Sequence, residues 1–197
     1  MRLWILFSTQ GYEATSISQI AEAVGIRKAS LYSHFDSKQA ILDALVNVVL
    51  EEYSKNSLFS KQGQENGAVF PGNCEEVEDI VKRQVSYILH DPFICRARKM
   101  LTIEQFRNAK LAFLQTQQNY SDIMQYFSAL MKELTERGVL SGSDPEIMAA
   151  QFCLPINVWI NLCDREPSLE EEVTALIERH IRQFFALYAA GAKQINQ

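Results

Sequence analysis

With 197 residues, 47% of them apolar and 22% charged, the chain can form one medium or two small domains around a real core. A formal net charge of −5 excludes a general nucleic-acid coat protein, which needs a broad positive surface. Cys74, Cys95, Cys153 and Cys163 have no C-x-x-C spacing and read as reduced packing residues.

The chain opens with the apolar run MRLWILF, which stops at Ser8 without a small-residue cleavage site. It predicts a short helix from about Arg2 to Gln10, ended by Gly11. No stretch approaches a membrane-spanning length, so the expectation is a cytoplasmic protein with no membrane partner.

Ser16 to Lys38, SISQIAEAVGIRKASLYSHFDSK, predicts two helices around a tight turn. Ser16 with Gln19 has capping-box spacing. Ile17, Ile20, Ala21 and Val24 give one apolar face, and Gly25 ends the helix because glycine takes a left-handed backbone without penalty. Ile26 is expected to bury the turn. A second helix, Arg27 to Phe35, turns Leu31 and Phe35 inward. Arg27, Lys28, Ser30, Tyr32, Ser33 and His34 remain outside, and such donor-rich side chains suit phosphates and base edges. Residues 1–57 carry five Lys and Arg against six Asp and Glu, yet residues 24–38 carry Arg27, Lys28 and Lys38 against Asp36 alone. The positive charge is thus concentrated on the second helix, as in a binder with a small electrostatic footprint.

A fourth helix runs from Asp36 or Ser37 to about Asn56, with Ile41, Leu45, Val48 or Val49, and Tyr53 on one face. Residues 57–74 contain three glycines and a proline and predict a linker, with a head at 1–50 and a second domain at 51–197. Further helices are expected at Glu75–Leu89, from Asp91-Pro92 to about Asn108, and from about Lys110 to Arg137 with Gly138 as its cap. Another opens at Ser143-Asp144-Pro145 and is kinked at Pro155. Ser168 to Glu171 has capping-box spacing for the last helix, which runs to about Ala190. The fold class is all-α: a three-helix helix-turn-helix head followed by a helical bundle.

Gly11-Tyr12, Thr15-Ser16-Ile17, Ile20-Ala21, Val24-Gly25-Ile26, Lys28, Leu31-Tyr32, His34-Phe35 and Ser37-Lys38 together resemble the DNA-binding domain of the tetracycline-repressor-like (TetR) transcriptional regulators. The resemblance covers about the first quarter of the chain. It implies that the second helix of the motif enters the major groove and presents Arg27, Lys28, Ala29, Ser30, Tyr32, Ser33 and His34 to DNA. Thr15, Ser16 and Lys38 match phosphate-contacting positions, and a helix N-terminus with hydroxyls suits phosphate. Arg27 is the best base reader, because a guanidinium grips guanine with two bonds. His34 either bonds phosphate or packs beside Phe35, and the resemblance favours phosphate. Ala29 stands where many members have glycine, which implies a looser backbone approach.

In the second half, Tyr120, Met124, Phe127, Met131 and Leu134 share a face of the long helix. Met100, Ile103 and Phe106 line the helix before it, and Phe152 and Trp159 the one after. Ordinary core is the plain reading of each. The resemblance implies an effector cavity, for which methionines and aromatics are apt. Arg96, Arg98, Lys99, Arg107 and Lys110 form a basic segment, with Glu104 as its only acid, and read as a solvated face. His90 and His180 have no partners at metal spacing, so neither metal nor cofactor is expected.

The last helix carries Val173, Ile177, Ile181, Phe184 and Tyr188 on one stripe, with Leu176, Phe185 and Leu187 outside it, a wide apolar surface for a terminal helix. The resemblance implies a homodimer in which the last two helices of each subunit form the interface. It further implies a repressor released from an inverted-repeat operator by a small-molecule effector, with the fourth helix tilting on effector binding. The alternative is a helical ligand-binding or adaptor protein that no longer reads DNA. Neither paired carboxylates, nor a nucleophile with a base, nor a Gly-rich phosphate loop appears, so catalysis is not expected.

Overall fold

The computed structural model describes residues 2–60 and 70–191. Its helices are α1 (Arg2–Gln10), α2 (Ile17–Val24), α3 (Lys28–Tyr32), α4 (Lys38–Asn56), α5 (Cys74–His90), α6 (Pro92–Glu104), α7 (Ala109–Thr116), α8 (Asp122–Glu136), α9 (Pro145–Arg165) and α10 (Glu170–Tyr188). Among the described residues the β pairing consists of one isolated bridge, Leu140 to Ala189. The fold is all-α, as the sequence leads one to expect. Half of the expected linker, residues 61–69, lies outside the described residues.

Helix starts follow local capping chemistry. Ser37 accepts from the Ala40 N–H, Asp91 from those of Phe93 and Ile94, and Asp144 from those of Glu146 and Ile147. Prolines at 92 and 145 occupy the first turn, where no N–H is needed.

The chain divides into two compact units. One comprises the residues up to Ser57 together with His90–Gln117, hence α1–α4, α6 and α7. Its core joins Phe7, Tyr12, Ile20, Leu31 and Leu42 to Met100, Leu101 and Leu111. The motif helices, only eight and five residues long, bury little themselves, and α6 and α7 complete their core. The other unit comprises Leu58–Leu89 and the residues from Gln118 onward. Its core is aromatic: the Phe152 ring lies 5.0 Å from both Phe127 and Phe184. Glu78, on α5, is bonded by Arg182 of α10 through two nitrogens at 2.9 Å and paired with Lys82 at 3.0 Å.

Several expectations are corrected. The helix expected over 110–137 runs unbroken from Ala109 to Glu136 but carries a π segment at Gln117–Ser121, which separates α7 from α8. QQNYS has no apolar stripe to bury, and the Asn119 carbonyl accepts from the Asn157 amide at 2.9 Å. Ser168 does not cap α10. Pro167–Leu169 form a 3₁₀ turn, and Leu169 takes the cap position without a side-chain bond. Val24 and Ile26 are exposed, because backbone bonds close their turn rather than burial. Arg98 is buried, so the basic segment is not wholly a solvated face. α9, at 21 residues, is long and apolar enough by length and composition to cross a membrane, contrary to expectation. Its Met148, Phe152, Ile156 and Ile160 lie in the second unit's core.

Candidate nucleic-acid interface

The motif is built from its two helix ends. The Ser16 hydroxyl accepts from the Gln19 N–H at 3.2 Å, and the Gln19 side chain accepts from the Ser16 N–H at 2.8 Å, a complete capping box. Gly25 has φ +77°, and the N–H groups of Gly25 and Ile26 bond the Glu22 and Ala21 carbonyls. A side chain at 25 would strain this left-handed backbone. Arg27 is extended at the N-cap of α3, and Leu31 plugs α3 into the core.

These anchors leave Arg27, Lys28, Ala29, Ser30, Tyr32, Ser33 and His34 exposed together. Tyr32 is 49% exposed, unusual for a residue that usually buries its ring. The Ser33 hydroxyl donates to the Ser30 carbonyl at 2.8 Å. The arrangement offers a guanidinium, an ammonium, an imidazole and hydroxyls on one short surface helix and its two ends, a donor set matched to phosphate oxygens and purine edges.

The flanking positions differ from one another. Ser16 is exposed at its helix start. Thr15 is 1% exposed, with its hydroxyl donating to the Gly11 carbonyl at 2.7 Å and accepting from the Gln10 amide at 3.0 Å. Its side chain is therefore occupied inside the α1–α2 turn, which corrects the expectation that it meets phosphate. Lys38 is half-buried, with Nζ donating to the Glu13 carbonyl at 3.1 Å and lying 4.2 Å from the centre of the Tyr12 ring. The ammonium thus ties the start of α4 to that turn, where a cation over an aromatic face adds about 0.5–1 kcal/mol. Burial, and then the carboxylates of Glu13, Asp43 and Glu104, hold the Tyr12 phenol above its ordinary value and keep it protonated.

Sequence reasoning missed Glu104. It ends α6, is 1% exposed, and accepts the Tyr12 N–H at 2.7 Å. The available signal was its isolation as the one acid among Arg96, Arg98, Lys99, Arg107 and Lys110.

The nine expected effector residues do not belong to one compact unit. In the first, Met100 is core, whereas Ile103 and Phe106 are exposed, Phe106 by 90%. In the second, Met124, Phe127, Met131 and Phe152 are core, Trp159 is half-buried edge-on to His180, and Tyr120 is exposed on the π turn. The Cys153 thiol, 3.7 Å from the Met124 sulfur, is pushed up to about 12 by burial and is a packing group.

The expected dimer stripe is also corrected. Val173, Ile177, Ile181 and Phe184 are buried in their own unit's core, and the Tyr188 hydroxyl bonds the Gln151 side chain. The exposed apolar positions lie elsewhere. On α9 they are Ile147 and Val158, with Leu154 and Leu162 half-buried between and beyond them at helical spacing. On α10 they are Leu187, exposed, and Leu176, half-buried.

Comparison with known proteins matches the same architecture. Residues 4–45 match the bacterial regulatory proteins of the tetR family, and residues 75–190 match the C-terminal domain of AefR-like transcriptional repressors. Over 83 residues the chain is 37% identical to the biofilm operon icaADBC HTH-type negative transcriptional regulator IcaR of Staphylococcus aureus (strain Newman), covering 41% of this chain and 44% of that one. The chain thus spans less than half the length of this curated relative. Among solved structures, the flavonoid-responsive regulator FrrA is 25% identical with a TM-score of 0.62, covering 96% of this chain and 94% of its own. The TetR family transcriptional regulator PfmR of Thermus thermophilus shares the fold at 19% identity, with a TM-score of 0.64 over 98% of this chain and 97% of its own.

Proposed function

The chain belongs to the TetR family of bacterial regulatory proteins, and from that premise we propose that it is a ligand-responsive, sequence-specific repressor that binds double-stranded DNA as a homodimer. The observation that carries this reading is the set of exposed donors Arg27, Lys28, Ser30, Tyr32, Ser33 and His34 on α3 and its two ends, a helix fixed by Leu31 below and by the Gly25 turn in front. Arg27 reads a base edge. Lys28, Ser30, Tyr32, Ser33 and His34 supply further contacts to base edges and backbone, and Ser16 and Lys38 meet the flanking phosphates.

The similarity to FrrA, described as flavonoid-responsive, and to IcaR, described as a negative regulator, supports control by a small molecule and repression. We assign the effector to the second unit, around Met124, Phe127, Phe152 and Trp159, where polarizable and aromatic side chains can repack. The dimer surface is the stripe of Ile147, Leu154, Val158 and Leu162 with Leu176 and Leu187, in place of the buried stripe of α10. Catalysis has no part in this reading, which places the protein in the cytoplasm with the DNA it binds. If effector and operator compete through one equilibrium, each weakens the other by the same factor.

Selection from a random duplex library at moderate salt with the full-length chain tests the proposal. An enriched inverted repeat, released by some member of a library of aromatic and acyl compounds, is expected. A folded chain that enriches no sequence would contradict it and favour the ligand-binding or adaptor reading.

A further inference from the structure

The turn between α1 and α2 is held by a residue 92 positions away in sequence. Glu104 buries its carboxylate beneath that turn, with Oε1 accepting the Tyr12 N–H at 2.7 Å. Gly11 makes the approach possible: at φ +83° it takes a left-handed backbone, and a Cβ there would stand 2.7 Å from the same oxygen. Glu104 is itself fixed, because its carbonyl accepts from Arg107 and Asn108 at 2.9 and 3.0 Å as α6 ends. Among the described residues its second oxygen, Oε2, is buried without a hydrogen-bond partner. A buried carboxyl group with one oxygen unpaired is costly for stability alone, because a single N–H bond does not replace the hydration it loses.

Tyr12 connects this contact to the DNA face. Its ring packs edge-on against Phe7 at 5.7 Å and carries the Lys38 ammonium on its face. Lys38 also bonds the Glu13 carbonyl, and the Gly11 carbonyl accepts from Thr15, the residue before the Ser16 cap. One carboxylate on α6 therefore sets the turn from which the starts of both α2 and α4 are placed. These are the two helix starts assigned above to phosphate.

We propose that Glu104 is a positioning residue for DNA recognition, holding the Gly11–Tyr12 turn so that Ser16 and Lys38 address the phosphates flanking the groove. The role rests on the DNA-binding reading above. It acts on phosphate contacts and leaves base preference to α3.

Glu104→Ala and Glu104→Gln in the full-length chain, titrated against the selected operator over a range of salt, test it. Glu104→Gln keeps an acceptor oxygen for the Tyr12 N–H and is expected to bind within about threefold of the unsubstituted chain. Glu104→Ala is expected to lose about tenfold or more in affinity. Its slope of log K against log salt should also fall by about one phosphate contact per subunit, with base preference unchanged. The slope separates positioning from mere destabilisation, because a partly unfolded population lowers affinity yet binds through the same contacts. Circular dichroism at the titration temperature reports whether each variant is folded. Folded Glu104→Ala with unchanged affinity and slope, or with lower affinity and unchanged slope, overturns the inference. If the unsubstituted chain selects no DNA, the functional reading fails and this inference fails with it.

Discussion

Arg27 is the side chain whose removal should change which base is preferred. Arg27 ends the turn at the N-cap of α3, with a planar guanidinium able to bond one guanine twice. Arg27→Ala is expected to weaken operator binding by about 1–3 kcal/mol and to erase preference at one position of the half-site. Selection repeated with the variant checks this, and an unchanged consensus and affinity would remove Arg27 from base reading. Glu78 makes a separate prediction, about stability. The bonds from Arg182, and then from Lys82, hold its carboxyl below the usual carboxylate range. A depressed folded-state value gives stability that is present above the unfolded value, about 4.3, and is lost as pH falls through the folded one. Thermal melts should therefore show a steeper acid loss below about pH 4 for the unsubstituted chain than for Glu78→Gln. Equal acid slopes would remove Glu78 from the pH dependence.

Elements with strong local punctuation are the ones the sequence makes legible. Ser16 with Gln19, Ser37, Asp91-Pro92 and Asp144-Pro145 start α2, α4, α6 and α9 where expected, because capping is decided within four residues. The α1 bounds agree as well. Capping chemistry at Ser168 misleads because Pro167 draws the chain into a 3₁₀ turn first. The stripe on α10 is a correct helical period with the wrong partner: periodicity identifies an apolar face, not what covers it. The exposed face from Arg27 to His34 is legible because Leu31 and the glycine turn fix its phase, whereas the Glu104 contact joins residues that no local pattern relates. The two turn glycines give a paired prediction. Gly25→Ala meets open space and should cost about 1–2 kcal/mol for its left-handed backbone alone. Gly11→Ala adds a clash with the Glu104 carboxylate and should cost more. Denaturant unfolding of both variants compares them, and an equal loss would show that the approach at Gly11 is not tight.

At the scale of the whole molecule, the α6 and α7 segment belongs by contact to the same compact unit as α3, although Ser57 and His90 are 33 positions apart. Assembly supplies a further test. Phe184, buried in the second unit's core, is a folding residue, and Phe184→Ala should lower stability by about 3–5 kcal/mol. Val158 is 62% exposed, so Val158→Glu should leave the fold intact and dissociate the proposed dimer. Sedimentation of a folded Val158→Glu that is still dimeric would remove α9 from the interface. Loss of the dimer would also reduce operator affinity, because one short reading helix covers only a half-site.

Operator recognition by a dimer requires two copies of α3 to read one duplex together. Hydroxyl-radical footprinting of the selected DNA by the full-length chain measures that directly. Two protected patches on one face are expected, related by the inverted repeat and separated by about 34–36 Å, one helical turn, or a multiple of it. A single patch, or uniform protection without register, would contradict it.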